Sequence, residues 1–468
     1  MKPNRNSYLL FLFTSAALFL LQYVVDVKSY IAVVLMYGLG IFFLFKQTPI
    51  HTLFFLFLLT IPFEKGIREW LITIVPDGIE SWMQGYDLYV GFTLKMIFTA
   101  TLSAILLVTK PRPRALIPMS LIIFMICIVA STINASDTMI AFLGFTRITL
   151  GILLFLTSAN LAINRRLRAD AGMVFLALLL FFGYIGSGQQ FRTQPLGLFL
   201  EDSASLNPMG YRTTDGDPLY RVSGFTGHPT FFASFLSLLL PIGLGYFLHA
   251  WKNKLKWITY ISFAAIVLSG IALISTQSRS AWFAITVTTA VFLFRAYHQK
   301  DKKILRILTV GTCMITILIV IIMPTIINRL ATIPDVWTTG SGNVRLLLMQ
   351  EAWNIMNAFP LLGAGSNHFV RIMSSQELPV NLQGFLFPVH NTFLLFFAEL
   401  GIPAGLAFLW FIIQIMIQTF RRAAKQWITL GVWLGALTFV INAQFHTLFN
   451  QDPTFDLFMV LLGFATAL

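Results

Sequence analysis

The chain has 468 residues, of which 57% are hydrophobic and only 11% are charged, whereas an average soluble domain carries roughly 25% charged residues. This composition excludes a water-soluble globular protein and indicates that most of the surface faces hydrocarbon. The net charge of +13 does not predict nucleic-acid binding, because the basic residues occur in short clusters between apolar runs, as membrane-orientation signals do.

Apolar runs of membrane-spanning character recur along the whole chain. They occupy residues 8–25, 30–45, 50–63, 88–109, 115–133, 140–162, 172–190, 229–250, 257–275, 280–297, 304–327, 391–418, 427–445 and 454–468. Several runs are short or interrupted, so we predict an all-α integral membrane protein with about 12–14 transmembrane helices. No small-x-small cleavage site closes the first run, which is therefore interpreted as an uncleaved span.

Lysine and arginine predict the orientation. If the N-terminus is cytoplasmic and the spans alternate, every basic cluster falls in the cytoplasm. The clusters are Lys46; Lys110, Arg112 and Arg114; Arg165, Arg166 and Arg168; Lys252, Lys254 and Lys256; Lys300, Lys302, Lys303 and Arg306; and Arg421, Arg422 and Lys425. Most acidic residues then lie outside.

Three outer segments are long. Residues 64–87 contain two tryptophans suited to a membrane interface, residues 191–228 are polar, and residues 328–390 form the largest loop. Within that loop, residues 343–359 have the spacing of an amphipathic helix, which Pro360 ends. We predict N-terminal transmembrane helices over 1–133, a core including both large loops over 134–450, and a last span over 451–468.

Signatures of nucleotide or metal chemistry are weak in this chain. There is no phosphate-binding Gly-rich loop of the P-loop type, and Asp215-Gly216-Asp217 is interpreted as a solvated turn. Cys127 and Cys313 both lie inside apolar runs, away from histidine or acidic clusters. We therefore predict no cofactor, no metal site and no disulfide framework.

Two arginines lie at the predicted outer surface of the membrane. Arg221 precedes a span, and Arg279 lies in a short turn, Ser278-Arg279-Ser280, between two spans. An arginine at such a place either pairs with an anion or extends to the lipid headgroups. Two arginines beside short Ser/Gly segments weaken the lipid-headgroup interpretation. Guanidinium groups suit bidentate binding of phosphate, so these residues are candidates for an anion site.

His390 lies where the largest outer loop meets a span, and a neutral imidazole there could act as a general base. A helix-capping role is the alternative, and His228 and His446 on the same side are rivals. Lys95 and Arg147 lie within spans and could be functional, although both are near enough to an outer end to extend to the interface. Glu399 could pair with an arginine or with a neighbouring helix.

Together these segments resemble the O-antigen ligase and polymerase family over roughly residues 130–450. The resemblance rests on four stretches in order: residues 221–229 (RVSGFTGHP), Ser278-Arg279-Ser280, residues 343–365 from Asn-Val-Arg through Phe-Pro-Leu-Leu-Gly-Ala-Gly, and residues 390–402 beginning His-Asn-Thr-Phe. One departure is His228-Pro229-Thr230, where family members often have Asn-Pro-Asn.

The resemblance implies a metal-independent, inverting glycosyltransferase with no cofactor. It would move a glycan from polyprenyl (undecaprenyl) diphosphate to an acceptor hydroxyl at the periplasmic face of the bacterial inner membrane. It implies catalytic roles for Arg221, Arg279 and His390. The candidate substrate-binding residues are Arg345, Asn391 and His228.

Three acceptors remain open: lipid A core, a growing glycan, or a protein hydroxyl. The partners expected are therefore the lipid-linked donor, one of these acceptors and membrane lipids, without nucleic acid. Two other function classes stay open. A transporter or flippase of lipid-linked glycans should show ionisable residues near the bilayer midplane or a repeat between halves. A structural scaffold of a membrane complex has no specific feature in its favour.

Overall fold

The structure is a computed structural model that describes residues 5–24, 26–63, 93–108, 117–198, 201, 211–212, 218–300, 302–306, 309, 311, 341–379, 382, 386–449 and 453–467. The outer segment 64–87, the turn Asp215-Gly216-Asp217 and most of the span predicted at 304–327 lie outside the described residues.

The described part of the chain is built from helices. These are α1 (Arg5–Leu21), α2 (Val27–Phe45), α3 (Pro49–Thr60), α4 (Leu94–Val108), α5 (Met119–Asn134), α6 (Thr138–Leu161), α7 (Arg165–Arg192), α8 (Pro229–Lys252), α9 (Lys256–Ser275), α10 (Arg279–His298), α11 (Ser341–Ala358), α12 (Phe369–Ser374), α13 (Thr392–Leu400), α14 (Ile402–Ala423), α15 (Trp427–Asn442) and α16 (Thr454–Thr466). Two-residue strands β1 (Tyr211–Arg212) and β2 (Pro218–Leu219) pair antiparallel.

Seven of the described helices have the length and apolar composition to cross a membrane: α2, α6, α7, α8, α9, α10 and α14. Six shorter apolar helices accompany them: α1, α3, α4, α5, α15 and α16. The prediction of an all-α integral membrane protein is confirmed. Hydrocarbon requires each span to satisfy its own backbone hydrogen bonds, which explains why helices dominate.

The apolar run predicted at 391–418 is not one helix. It divides at Gly401, whose backbone has φ +88°, a conformation that favours glycine. A Cβ at Gly401 would lie 2.3 Å from the carbonyl oxygen of Leu361, so the loop before α12 packs directly against this break. The spanning helix is therefore α14, and α13 is a separate short helix beside its start.

Helix α8 packs against α15 through small residues. A Cβ at Gly431 or Gly435 of α15 would lie 2.4 or 2.5 Å from a carbonyl oxygen of α8, so only glycine permits this approach. Pro241 inside α8 has no N–H for the carbonyl of Ser237. That carbonyl accepts instead from Thr438 Oγ1 of α15 at 3.0 Å, which joins the two helices at the proline.

Helix ends divide between two faces of the bundle. One, here called the basic face, carries the starts of α1, α7 and α15 and the ends of α8, α10, α14 and α16. Ser7 of α1 donates to Asp170 of α7 at 2.5 Å, Arg168 of α7 bonds the Ala467 carbonyl after α16, and Arg295 of α10 lies over the Trp427 ring at 4.7 Å. The opposite ends form the site face.

Candidate functional site

Four segments meet at the site face: residues 221–228, the turn 275–280, residues 389–391 and residues 443–448. The backbone N–H of Val222 donates to the Ser275 carbonyl at 3.3 Å. Ser280 Oγ and His446 Nε2 are 2.8 Å apart. Thr447 Oγ1 donates to the Val389 carbonyl at 2.7 Å. These long-range bonds bring the sequence-predicted residues Arg221, Arg279 and His390 to one end of the bundle.

Arg221 is buried, and its Nε donates to the carbonyl of Thr276 at 2.8 Å. This bond fixes the guanidinium beside the turn that carries Arg279. Arg279 is the first residue of α10 and is half-buried. The N-terminus of a helix carries a partial positive charge, so the two arginines and the helix end together form a positive region.

The segment that carries Arg221 is held by Gln189 of α7, which the sequence analysis did not identify. The side-chain oxygen of Gln189 accepts from Gly224 N–H at 2.8 Å, and its amide donates to the Gly224 carbonyl at 2.9 Å. The same amide donates to Glu201 at 2.6 Å. Gly224 has φ +59°. The one feature of the sequence that could have indicated Gln189 is the position of this polar residue at the end of the apolar run 172–190.

His228 is the N-cap of α8, and its Nδ1 accepts from the Thr230 N–H at 3.2 Å. Burial first, and then Arg221 and Arg345, lower its pKa to about 4. The ring is neutral near pH 7, with its proton on Nε2 because Nδ1 is the acceptor. A direct role of His228 in substrate binding remains a prediction.

His390 is half-buried immediately before α13. Burial lowers its pKa to about 4, and Arg345 and His228 act in the same direction, whereas a hydrogen bond to the Pro388 carbonyl opposes them. Asn391, the N-cap of α13, accepts from Leu394 N–H at 2.9 Å and donates to the Gln444 carbonyl at 3.3 Å. Its capping role positions His390 against the segment after α15.

His446 is buried close to the Arg279 turn. Its Nε2 meets Ser280 Oγ, and its backbone carbonyl accepts from Thr392 Oγ1 at 2.8 Å. Burial lowers the pKa of His446 well below the usual range, with Arg345, His390, His228 and Arg221 adding to the effect. The sequence indicated His446 only as an alternative to His390. In the structure, His446 connects the other two histidines, His228 and His390, to the turn 275–280.

Arg345 of α11 is half-buried and lowers the pKa of all three histidines. The structure therefore places every sequence-predicted site residue at the same face. Within the described ranges, no three side chains of histidine, cysteine, aspartate or glutamate are grouped as metal ligands would be.

Two other charged residues are buried. Glu399 accepts from the backbone N–H groups of Asn367 and Phe369 at 3.0 and 3.1 Å, so it packs α13 against the start of α12, as its helix-packing alternative predicted. The prediction that Lys95 extends to the interface was wrong, because its Nζ lies 2.8 Å from Asp456 Oδ2 with both side chains 1% exposed.

Residues 263–409 match the family model described as O-antigen ligase. The match includes Arg279, Arg345, His390 and Asn391, whereas Arg221, His228 and His446 lie outside it. No curated protein matches the chain. The match confirms the resemblance to the family, and the contacts above connect the matched residues to those outside the range.

Proposed function

From the match of residues 263–409 to the O-antigen ligase family, we propose that the protein is a membrane glycosyltransferase. It would take its glycan from polyprenyl (undecaprenyl) diphosphate. The family match supports activity of the O-antigen ligase or polymerase type. The observation that carries the finer proposal is the convergence of Arg221, the Arg279 turn and Arg345 with neutral histidines at the face opposite the basic clusters. By the positive-inside rule that face is outside the cytoplasm, at the periplasmic side of a bacterial inner membrane.

The arginines would bind and stabilise the leaving diphosphate. As the anomeric bond breaks, negative charge develops on the diphosphate, and preorganised cations lower the free energy of that transition state. Arg221 is held by Thr276 before any donor arrives, and Arg279 lies at the positive end of α10. A carrier diphosphate is already an activated leaving group, so the proposed reaction uses neither a nucleotide nor a metal.

His390 would act as the general base. It is neutral near pH 7, and donating one ring proton to the Pro388 carbonyl makes the other nitrogen the acceptor. That nitrogen takes the acceptor hydroxyl's proton as the oxygen attacks the anomeric carbon. The diphosphate leaves from the opposite side, so a single displacement inverts the anomeric centre. Bound diphosphate also places negative charge near His390, which makes the imidazole more basic when the donor is present.

The test is glycan transfer by purified variants, with donor binding measured in parallel. We expect His390→Ala to reduce kcat by about 10²–10⁴-fold while retaining donor binding. Arg221→Ala and Arg279→Ala should weaken donor binding as well as turnover. The control is His298→Ala, because His298 is exposed at the end of α10 on the basic face. Lipid A core, a short glycan and a hydroxyl-containing peptide are supplied in turn to identify the acceptor.

Near wild-type turnover by His390→Ala would show that His390 is structural. Loss of donor binding in a folded His390→Ala protein would assign the residue to the diphosphate site, and His446 would become the next candidate base.

A further inference from the structure

Helix α11 lies along the site face rather than across the membrane. Its buried residues Leu348, Ala352 and Ile355 share an apolar cluster with Ile140 and Leu143, which belong to the first turns of α6 at the site face. Near the start of α11, Arg345 lowers the pKa of His228, which precedes α8, and of His446, which follows α15. At its other end, the carbonyl of Pro360 accepts from Ile402 N–H at 2.9 Å, where α14 begins.

Both ends of α11 are therefore at the level where spanning helices end. An 18-residue helix is about 27 Å long at about 1.5 Å per residue. A helix of that length with both ends at one level runs close to parallel with the membrane surface.

The exposed side of α11 is divided into an apolar flank and a polar flank. At about 100° per residue, Leu346, Met349 and Trp353 fall on one flank, where their exposed fractions are 48%, 42% and 57%. Gln350, Asn354 and Asn357 are also exposed, and they fall on the other flank. A helix that lies in a membrane interface has this division, with its third side here packed on the protein.

The apolar flank continues toward a spanning helix. Beyond α11, Phe359, Leu361 and Leu362 are 42%, 71% and 38% exposed, and Pro360 among them bonds the first residue of α14. One turn into α14, Leu406 is 55% exposed, and Trp410 and Ile413 follow on the same outward side at 48% and 52%. Large apolar side chains exposed along a spanning helix face lipid.

We propose that the flank formed by Leu346, Met349 and Trp353 docks on the lipid leaflet at the site face, so that α11 is an interfacial helix partly immersed in the membrane. Continuity with the exposed surface of α14 selects lipid as the occupant. Trp353 suits the headgroup region, because its ring has an apolar body and one polar N–H. The polar flank faces water. The third side of α11, formed by Leu348, Ala352 and Ile355, packs in the apolar cluster that also contains Ile140 and Leu143 of α6.

The test uses spin labels on single cysteines in a Cys127→Ala/Cys313→Ala background. The full chain is reconstituted in bilayers of phosphatidylethanolamine and phosphatidylglycerol. Met349→Cys and Trp353→Cys report on the apolar flank, and Gln350→Cys and Asn354→Cys are matched controls on the polar flank. Collision with oxygen, which partitions into lipid, is compared with collision with a water-soluble nickel complex.

We expect labels at 349 and 353 to favour oxygen and to lie on the order of 5–10 Å below the headgroup boundary, and labels at 350 and 354 to favour nickel. Equal oxygen-to-nickel ratios on both flanks would overturn the proposal. Low collision rates with both reagents at 349 and 353 would also overturn it, because they would show that a protein surface or a second copy of the chain covers the flank. Because each flank is labelled at two positions, a local effect of one substitution can be distinguished from the position of the whole helix in the membrane.

Discussion

His228, His390 and His446 share an environment in which protonation is unfavourable. Burial is the largest cause, and it lowers the pKa of His228 and of His390 to about 4. An unfolded histidine has a pKa of about 6.5. Between these two values the unfolded chain binds more protons than the folded one, so lowering the pH through this window destabilises the fold.

We therefore expect the thermal midpoint in detergent to fall as the pH is lowered from about 6.5 toward 4.

We also expect kcat/KM, which reports the free enzyme, to keep most of its value below pH 6. Because a diphosphate bound as proposed would make His390 more basic, the acidic limb of kcat should lie at higher pH than that of kcat/KM. A kcat/KM profile that is already halved at about pH 6.5 would contradict a buried, neutral base.

Gln189 is a positioning residue for the segment that carries Arg221. In Gln189→Glu the N–H donor is replaced by an acceptor that faces Glu201 and the Gly224 carbonyl, and leaving buried acceptors unpaired costs about 1–3 kcal/mol. We expect the KM for the lipid-linked donor to rise at least about fivefold with a smaller change in kcat, because Arg221 shifts while His390 does not. The matched control is Gln190→Glu, the half-buried neighbour. Equal KM values for the two variants would contradict the positioning role.

At the level of helices, the Lys95–Asp456 ion pair connects α4 to α16. Removing one member of a buried pair leaves an uncompensated charge and costs about 3–5 kcal/mol, whereas replacing both with apolar residues is often neutral. We expect Lys95→Met to lower the thermal midpoint markedly and Lys95→Met/Asp456→Leu to recover most of it. Lys302→Met, on an exposed lysine, is the control. A single variant as stable as the control would show that the pair contributes little.

For the whole molecule, the arrangement of helix ends supports the alternation predicted from lysine and arginine, while the orientation itself remains a prediction. We expect Ser375→Cys, at an exposed position on the site face, to react with a membrane-impermeant thiol reagent in intact spheroplasts. Lys302→Cys should react only after permeabilisation. The reverse pattern would invert the orientation and place the candidate site in the cytoplasm.

The apolar runs and the basic clusters were sufficient to predict the membrane class and the division of helix ends into a basic and an opposite face. Both are local properties, because a span needs about 20 apolar residues and basic residues mark the loops between spans. The candidate residues Arg221, Arg279, Arg345 and His390 were selected by the resemblance to the family. The amphipathic pattern of residues 343–359 likewise predicted most of α11. The break at Gly401 was missed, because an apolar run does not show where its backbone turns.

The contacts between groups that are distant in sequence are visible only in the folded bundle. The pairs Arg221–Thr276, Ser280–His446, Gln189–Gly224 and Lys95–Asp456 join residues 35 to 361 positions apart, and no periodicity in the chain specifies them. The neutrality of the histidines has the same origin, since burial beside arginines from other segments of the chain lowers their pKa. Charge and hydrogen-bond energies depend on distance and exposure, which are properties of the assembled bundle rather than of any one segment.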